Sequence, residues 1–248
     1  MNNIAYEARA EFLEGSADIG VLVIHGFTGA TQSMRPIAYA LNKQGYTVSM
    51  PRLAGHGTSV QEMVTTSYQD WINSAEEAYH QLREKVKNVY VFGLSMGGTL
   101  SLYLAQKYDL KGIITVNAIV VMPEEFNQVI NNPQIPDFIG GIGSDIKKEG
   151  MREWAYPQTP KKSIIEMAKL CEIVRDKLND IKQPILIFKS LEDHVVPPTN
   201  QNYIFDHIGS STSTLIDLQN SYHVATLDND APFIIESTIK FIDKTSNF

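Results

Sequence analysis

The chain of 248 residues is long enough for one large domain or two small ones. Hydrophobic residues make up 43% and charged residues 20%, a composition that argues against a disordered chain. The net charge of -7 weighs against nucleic acid or an anionic membrane surface as the main partner, because both attract a basic face. Cys171 is the only cysteine, which excludes an intramolecular disulfide and favours a reducing, cytoplasmic location. Residues 1–7 lack a basic region and an apolar run, so we expect no secretory signal.

Short apolar runs alternate with helical patterns along most of the chain. The predicted strands are Gly20–His25, Tyr46–Met50, Val89–Phe92, Ile113–Val116, Ile185–Phe188 and Thr214–Leu218. The predicted helices are Met34–Lys43, Ser67–Glu84, Met96–Lys107 and Pro232–Asp243. This alternation predicts an α/β fold whose central sheet is mostly parallel and carries helices on both faces. Residues 88–106 are uncharged, but glycines at 93, 97 and 98 favour a buried strand, a turn and a helix over a membrane span.

The alternation lapses between residues 118 and 179, where prolines, glycines and large apolar residues accumulate. We expect a core domain formed by residues 1–117 and 180–248, and a small cap formed by residues 118–179. Ligands of open α/β sheets bind outside the carboxyl ends of the strands, so a cap there would cover the site. The alternative is a peripheral excursion with its own small core. The apolar residues expected to line a substrate pocket under the cap are Phe126, Phe138, Ile142 and Trp154.

The segment Gly93-Leu94-Ser95-Met96-Gly97 matches the pattern G-x-S-x-G between a predicted strand and a predicted helix. In a nucleophile elbow the serine sits on a tight turn, and the flanking glycines avoid collisions with neighbouring elements. A buried serine in a glycine-rich turn is the alternative. A phosphate-binding loop is disfavoured, because Gly98 is followed by Thr99 and not by lysine.

A serine hydroxyl needs a base, and the base needs a third group that fixes its tautomer. His223 follows the last predicted strand, and an acid is expected between the serine and the histidine, after the strand that ends at Phe188. Asp193 and Glu192 both lie there. We prefer Asp193, with Glu192 as the lesser option, and we predict a triad of Ser95, Asp193 and His223.

An ester hydrolysed by such a triad passes through a tetrahedral oxyanion, which two backbone N–H groups can stabilise. Met96, the residue after the serine at the start of a helix, supplies one predicted donor. Phe27, in the His25–Gly29 loop after the first long strand, supplies the other. No H-E-x-x-H motif or Cys/His cluster is present, so we expect no metal site, and His56 and His194 are interpreted as structural loop histidines.

With these residues the chain resembles the bacterial carboxylesterases and monoacylglycerol lipases of the α/β-hydrolase superfamily. The resemblance implies the same triad, the same oxyanion donors, a small cap, an α/β-hydrolase fold and no metal or organic cofactor. It implies hydrolysis of short- to medium-chain acyl esters, including monoacylglycerols, through an acyl-enzyme, with no nucleic acid partner and no stable membrane insertion. The segments that carry the resemblance are His25–Gly29, Ser33–Pro36, Pro51–Gly57, Gly93–Thr99, Glu192–Pro198 and Ser221–Asp228.

One departure concerns the alcohol side of the substrate. The resemblance implies an acidic cap residue directly after an Ala-Tyr pair, but here Ala155-Tyr156 is followed by Pro157. Pro157 is therefore a candidate contact without the acid, which predicts a less polar alcohol site, and Val196 beside the acid loop is a further candidate. The alternatives to an esterase are a thioesterase or small amidase with the same triad, and a non-catalytic ligand-binding member of the fold.

Overall fold

The computed structural model describes residues 4–246; residues 1–3, on which the expected lack of a secretory signal partly rests, lie outside them. The strands are β1 (Glu11–Leu13), β2 (Ser16–Ile24), β3 (Tyr46–Met50), β4 (Asn88–Leu94), β5 (Gly112–Val116), β6 (Phe138–Gly140), β7 (Gln158–Pro160), β8 (Ile185–Ser190) and β9 (Ser213–Leu218). The α-helices are α1 (Arg35–Lys43), α2 (Val60–Thr65), α3 (Tyr68–Arg83), α4 (Met96–Lys107), α5 (Glu124–Asn131), α6 (Lys161–Arg175), α7 (Thr199–His207) and α8 (Ala231–Ser246).

Seven strands form one sheet in the order β1-β3-β2-β4-β5-β8-β9. All neighbouring pairs are parallel except β1 and β3, which pair antiparallel at one edge. The predicted mostly parallel α/β sheet is therefore confirmed. The carboxyl ends of β4, β5 and β8 lie side by side, and the loops that follow these three strands meet at one edge of the sheet.

Each face of the sheet is buried under helices, which is why its central strands are apolar without alternation. In β2, Leu22 and Ile24 point into the layer beneath α3 and α4, whereas Val21 and Val23 point into the layer beneath α1 and α8. Helix α3 begins at the predicted capping box: the Ser67 N–H donates to the Asp70 carboxylate over 2.8 Å.

The segment expected to form the cap contains α5, a two-stranded hairpin of β6 and β7, and α6. Helix α5 has no fully buried residue. Helix α6 packs against α3 and α4 and contributes Met167, Leu170 and Val174 to the core. We keep the division into a core of 1–117 and 180–248 and a cap of 118–179 as a proposal, with α6 joining the two.

Candidate active site

Ser95 occupies the turn between β4 and α4, with φ 54° and ψ -121°. Such a positive φ is costly for a residue with a side chain, and it presents the hydroxyl at the strand's carboxyl end. The Ser95 N–H donates to the Val116 carbonyl over 2.9 Å, which ties the turn to β5. A Cβ on Gly93 would lie 2.1 Å from the Gly97 carbonyl oxygen, and a Cβ on Gly97 would lie 2.1 Å from that of Ile24. Both motif glycines are therefore required by close backbone approach.

His223 and Asp193 meet behind Ser95. The Asp193 Oδ2 lies 2.8 Å from His223 Nδ1, and its Oδ1 accepts the N–H groups of Val195 and Val196 over 2.9 and 2.8 Å. The Asp193 side chain is fully buried. Burial lowers the pKa of His223, but the Asp193 carboxylate opposes this and the net pKa lies above 6.5. A carboxylate held in this way orients the imidazole and favours its protonated form.

Glu192, the other candidate acid, points away from the histidine. Its carboxylate forms an ion pair with Lys147 over 3.0 Å, and its side chain is 56% exposed. The geometry thus favours Asp193 over Glu192 as the histidine's partner.

Asp145 ties the cap segment to the loops that carry the histidine and the acid. No pattern in the sequence indicated this role. Its carboxylate accepts the His223 N–H over 3.0 Å and lies 2.8 Å from His194 Nδ1. Its carbonyl accepts the Val224 N–H over 3.0 Å. Asp145 thereby joins three segments that are far apart in the chain, and His194 connects the acid's loop to the cap.

The two predicted oxyanion donors come from the residue after Ser95 and from the loop that runs past it. Met96 begins α4, and its side chain is buried in the core, so the backbone N–H is the part that can act at the site. The loop that carries Phe27 runs past the serine: a Cβ on Gly26 would lie 3.3 Å from Ser95 Cβ. The Phe27 ring packs edge-on against Trp71, with ring centroids 5.8 Å apart.

A cavity is lined by Ser95, His223 and the Phe27 loop, and its lining combines apolar and acidic side chains. The apolar residues come mainly from β4, α5, α6 and the loop after β8. The acidic residues are Asp145 and Glu153. Apolar lining residues are Leu94, Ile119, Phe126, Ile142, Met167, Val195 and Val196.

Three of the residues expected to line the pocket do so, and three do not. Phe126, Ile142 and Val196 line the cavity. Phe138 lies in β6, which pairs with β7, and lines a separate groove with Val64 and Lys162. Trp154 packs edge-on against Tyr156 at 5.6 Å, and Pro157 is exposed, so neither faces the cavity.

Glu153 is a second acidic residue, besides Asp145, that the cap segment brings to the cavity, and it lies four positions before Pro157. A Cβ on Gly29 would lie 2.6 Å from Glu153 Oε1, so the glycine makes room for the carboxyl. Burial raises the pKa of Glu153 to about 7, against the opposing effects of His223 and the Ser33 hydroxyl. Glu153 was not predicted as a site residue from the sequence, because no local pattern indicates that its side chain points inward.

The described part of the chain holds neither a metal-binding cluster nor a membrane-spanning helix. Among residues 4–246, no group of three or more His, Cys, Asp or Glu side chains is arranged to hold a metal ion. Within the same residues, no helix combines the length and the apolar character that crossing a membrane requires. The uncharged stretch 88–106 is divided between β4 and α4, as predicted.

Comparison with known proteins identifies the family of the chain. The model of the family described as serine aminopeptidase, S33 (Hydrolase_4) matches residues 15–149 and 151–230. The chain belongs to this family. A thermostable monoacylglycerol lipase from Bacillus sp. (strain H-257) is 46% identical over 234 residues, which are 94% of each chain. A carboxylesterase from Bacillus subtilis (strain 168) is 28% identical and covers 92% of this chain and 93% of its own length.

Solved structures with the same fold match nearly the whole chain. One from work on the metagenome-derived lipolytic enzymes LipS and LipT superimposes with a TM-score of 0.94 at 42% identity, covering 98% of this chain and all of that chain. A monoacylglycerol lipase from Paleococcus ferrophilus has a TM-score of 0.79 at 14% identity, covering 96% of this chain and 98% of that chain, and supports the fold alone. The predicted α/β-hydrolase fold and the predicted family resemblance are confirmed.

Proposed function

We propose that this family member is a serine carboxylic-ester hydrolase that cleaves monoacylglycerols and related short- to medium-chain esters. The predicted class of ester hydrolase is confirmed by the relatives, which are lipases and carboxylesterases. The observation that carries the proposal is the alignment of groups at one cavity: Ser95 and His223 both line it, and Asp193 contacts the ring of His223 from behind. This is the arrangement that activates a serine for acyl transfer.

In the proposed mechanism His223 Nδ1 donates its hydrogen to Asp193, which leaves Nε2 free to accept the Ser95 proton. Ser95 Oγ attacks the ester carbonyl, and the N–H groups of Phe27 and Met96 stabilise the oxyanion. His223 then returns the proton to the departing alcohol. Water repeats the sequence on the acyl-enzyme and releases the acid.

The mixed lining of the cavity suggests how the substrate binds. Phe126, Met167 and Val196 form an apolar wall, and each methylene that an acyl chain buries there contributes about 0.8 kcal/mol. Glu153 also lines the cavity, and His223 opposes the rise in the pKa of its carboxyl. A carboxyl with a pKa near 7 can accept or donate a hydrogen bond to an alcohol hydroxyl. We therefore place the glycerol hydroxyls at Glu153 and the acyl chain against the apolar wall.

This placement revises the expectation for Pro157. The sequence predicted a less polar alcohol site because Pro157 stands where an acid was expected. Pro157 is exposed and faces away from the cavity, so its identity does not set the polarity of the alcohol site. Glu153 supplies the acid from another position.

The family's description raises a second candidate, an aminopeptidase or small amidase with the same triad. An aminopeptidase must bind the ammonium group of its substrate, for which an ionised carboxylate is the usual partner. Burial raises the pKa of Glu153 to about 7, which disfavours its ionised form relative to an exposed glutamate and favours a hydroxyl ligand. A small amidase has no such requirement, and its rates on matched esters and amides distinguish it from an esterase. A thioesterase differs only in its leaving group, and a non-catalytic binding role leaves the Ser95–His223–Asp193 arrangement without a purpose.

Other properties follow from the proposed reaction and from the composition. We propose residues 118–179 as the cap over the cavity, and the ester as the small-molecule partner. The predicted reaction uses no metal and no organic cofactor, because the charge that develops is stabilised by backbone N–H groups. We also retain the proposed cytoplasmic location, on the evidence of the single buried Cys171.

The substrate proposal is tested by three matched substrates that share one acyl chain: the 1-monoacylglycerol, the methyl ester and the anilide. We expect wild-type kcat/KM to rank them in that order. Glu153→Leu removes both hydrogen-bonding oxygens and lowers the monoacylglycerol-to-methyl-ester ratio by about three- to tenfold, the value of one hydrogen bond to a hydroxyl. Pro157→Glu is the control and leaves the ratio unchanged. A ratio that responds to Pro157→Glu and not to Glu153→Leu would contradict the placement, and a preference for the anilide would favour the amidase.

A further inference from the structure

The three consecutive peptide units between Gly26 and Gly29 lie beside Ser95, and each is held by a hydrogen bond. The partners are His25, at the start of the loop, and His56 and Tyr156, which lie outside it. The Gly26 carbonyl accepts from His25 Nδ1 over 2.9 Å. The Thr28 N–H donates to His56 Nε2 over 3.2 Å, and the Thr28 carbonyl accepts the Tyr156 N–H over 3.1 Å. These units span the Phe27 N–H that the proposed mechanism uses, so their orientation sets where that N–H points.

His56 is suited to be a permanent acceptor in this arrangement. Its Nδ1 lies 3.0 Å from the Ala54 carbonyl oxygen, which can only accept, so the hydrogen must be on Nδ1 and the lone pair on Nε2. The ring is fully buried. Burial lowers the pKa of His56 to about 3, with a smaller contribution from His25, so the ring stays neutral in the working pH range.

The interaction between the two loops is reciprocal. His25, at the start of the Phe27 loop, accepts the Leu53 N–H through its Nε2 over 3.2 Å. His56, in the loop that follows β3, accepts the Thr28 N–H in return. The two rings contact each other edge-on with centroids 5.1 Å apart. Each loop thus holds a backbone N–H of the other, which fixes their relative position more firmly than packing alone.

Tyr156 connects the same site to the cap segment. Its backbone N–H holds Thr28, while its hydroxyl donates to the Gly55 carbonyl over 2.8 Å and accepts the Thr58 N–H over 2.9 Å. Nearby, the Gln32 side chain donates to the Arg152 carbonyl over 3.1 Å and accepts the Trp154 N–H over 3.0 Å. Residues 152–156 are therefore fastened to both the Phe27 loop and the His56 loop.

Thr28 has φ 59°, a left-handed conformation that a threonine avoids unless its surroundings impose it. The hydrogen bonds on both sides of Thr28 impose it here. We propose that His56 is a positioning residue for ester hydrolysis: it accepts the Thr28 N–H, and together with Tyr156 it fixes the Phe27 N–H toward the substrate's oxyanion. The proposal rests on the proposed function, since it assigns a role within that reaction.

Two substitutions separate the acceptor from the ring. His56→Gln keeps an acceptor oxygen near the position of Nε2 but loses the ring, whereas His56→Phe keeps the ring packing against Phe27 and Trp71 but loses the acceptor. The matched control is His80→Phe, since His80 lies exposed on α3, far from the loop in the chain. For each variant we would measure kcat and KM with a p-nitrophenyl ester, and the affinity for an alkyl trifluoromethyl ketone, which forms a tetrahedral adduct.

We expect His56→Phe to lower kcat by about 10- to 100-fold with KM changed less than about threefold, because a displaced oxyanion donor weakens the transition state and not substrate binding. Affinity for the trifluoromethyl ketone falls by the same factor. His56→Gln stays within about threefold of wild type, and His80→Phe is unchanged. The reverse order for Phe and Gln, equal losses in both, or no loss in either would overturn the proposal.

A measurement on the wild-type protein tests the proposal even if the variants fail to fold. In an NMR experiment on the ¹⁵N-labelled protein, a scalar coupling across the hydrogen bond should link the Thr28 amide nitrogen to His56 Nε2. Absence of this coupling would overturn the proposal. A folded wild-type protein that shows the coupling but hydrolyses no ester would instead refute the proposed function, so the two failures are distinguishable.

Discussion

Substituting Asp193 by asparagine probes the triad with almost no change in shape. In the wild type, Asp193 Oδ1 accepts the N–H groups of Val195 and Val196, and Oδ2 contacts His223 Nδ1. Asparagine has only one oxygen. Because the two backbone N–H groups require an acceptor, the amide oxygen takes the Oδ1 position and the NH₂ group faces His223.

The NH₂ group then donates to His223 Nδ1, so the ring must carry its hydrogen on Nε2. That hydrogen points toward Ser95, and the ring can no longer accept the serine's proton. We expect Asp193→Asn to lower kcat by about 10⁴-fold, which corresponds to about 5 kcal/mol of lost transition-state stabilisation. KM should change little, because Asp193 does not line the cavity that binds the substrate.

The assay compares kcat and KM for a soluble p-nitrophenyl ester in wild type, Asp193→Asn and Glu192→Gln, with circular dichroism to confirm folding. Glu192→Gln removes only an exposed ion pair with Lys147, so kcat should stay within about twofold of wild type. A loss below about tenfold for Asp193→Asn, or a larger loss for Glu192→Gln, would refute the reasoning that Asp193 fixes the tautomer.

Three further predictions concern the same reaction. Ser95→Ala and His223→Ala should each lower kcat by about 10⁴-fold or more, and the double variant should lose little beyond either, whereas multiplicative losses would show that the two act independently. The pKa of His223 lies above 6.5, and the base must be neutral, so kcat/KM should fall as the pH drops through a value above 6.5; a profile flat to about pH 4 would contradict a histidine base. Met96→Ala should be mild and Met96→Pro should cost at least about 10²-fold, with folding checked by circular dichroism; a large loss for the folded alanine variant would assign the role to the side chain.

Much of the fold could be predicted because its signals are local. Strand β3 and helix α4 begin and end at the predicted residues, since Pro51 stops the strand and the glycine turn precedes the helix. Strand β1 was missed because three residues are too few to show a pattern, and it forms by pairing antiparallel with β3 at the sheet's edge. Helix α6 was not predicted individually, because it lies in the segment where the alternation lapses, although its apolar residues pack on α3 and α4.

The functional site was likewise predicted only in part. Ser95 and His223 follow strands with recognisable patterns, and the order of acid and histidine points to the loop that holds Asp193 and Glu192. Asp145 and Glu153 could not be found, because their roles depend on how the cap segment folds back over the sheet and on which carboxyls it turns inward. Phe138 and Trp154 do not line the cavity as expected, for the same reason. The hydrophobic character of a residue indicates that it packs, but not which residues it packs against.

The most direct test of the account is covalent labelling with an alkyl fluorophosphonate, read by intact mass and by peptide mapping. The reagent phosphonylates a serine only where a base activates it and an oxyanion site receives the adduct. The account predicts one adduct per chain, located on Ser95, with parallel loss of ester hydrolysis and no labelling of Ser95→Ala. A stoichiometric adduct on any other residue, or an unlabelled wild type that still hydrolyses esters, would contradict the claim that Ser95 is the nucleophile.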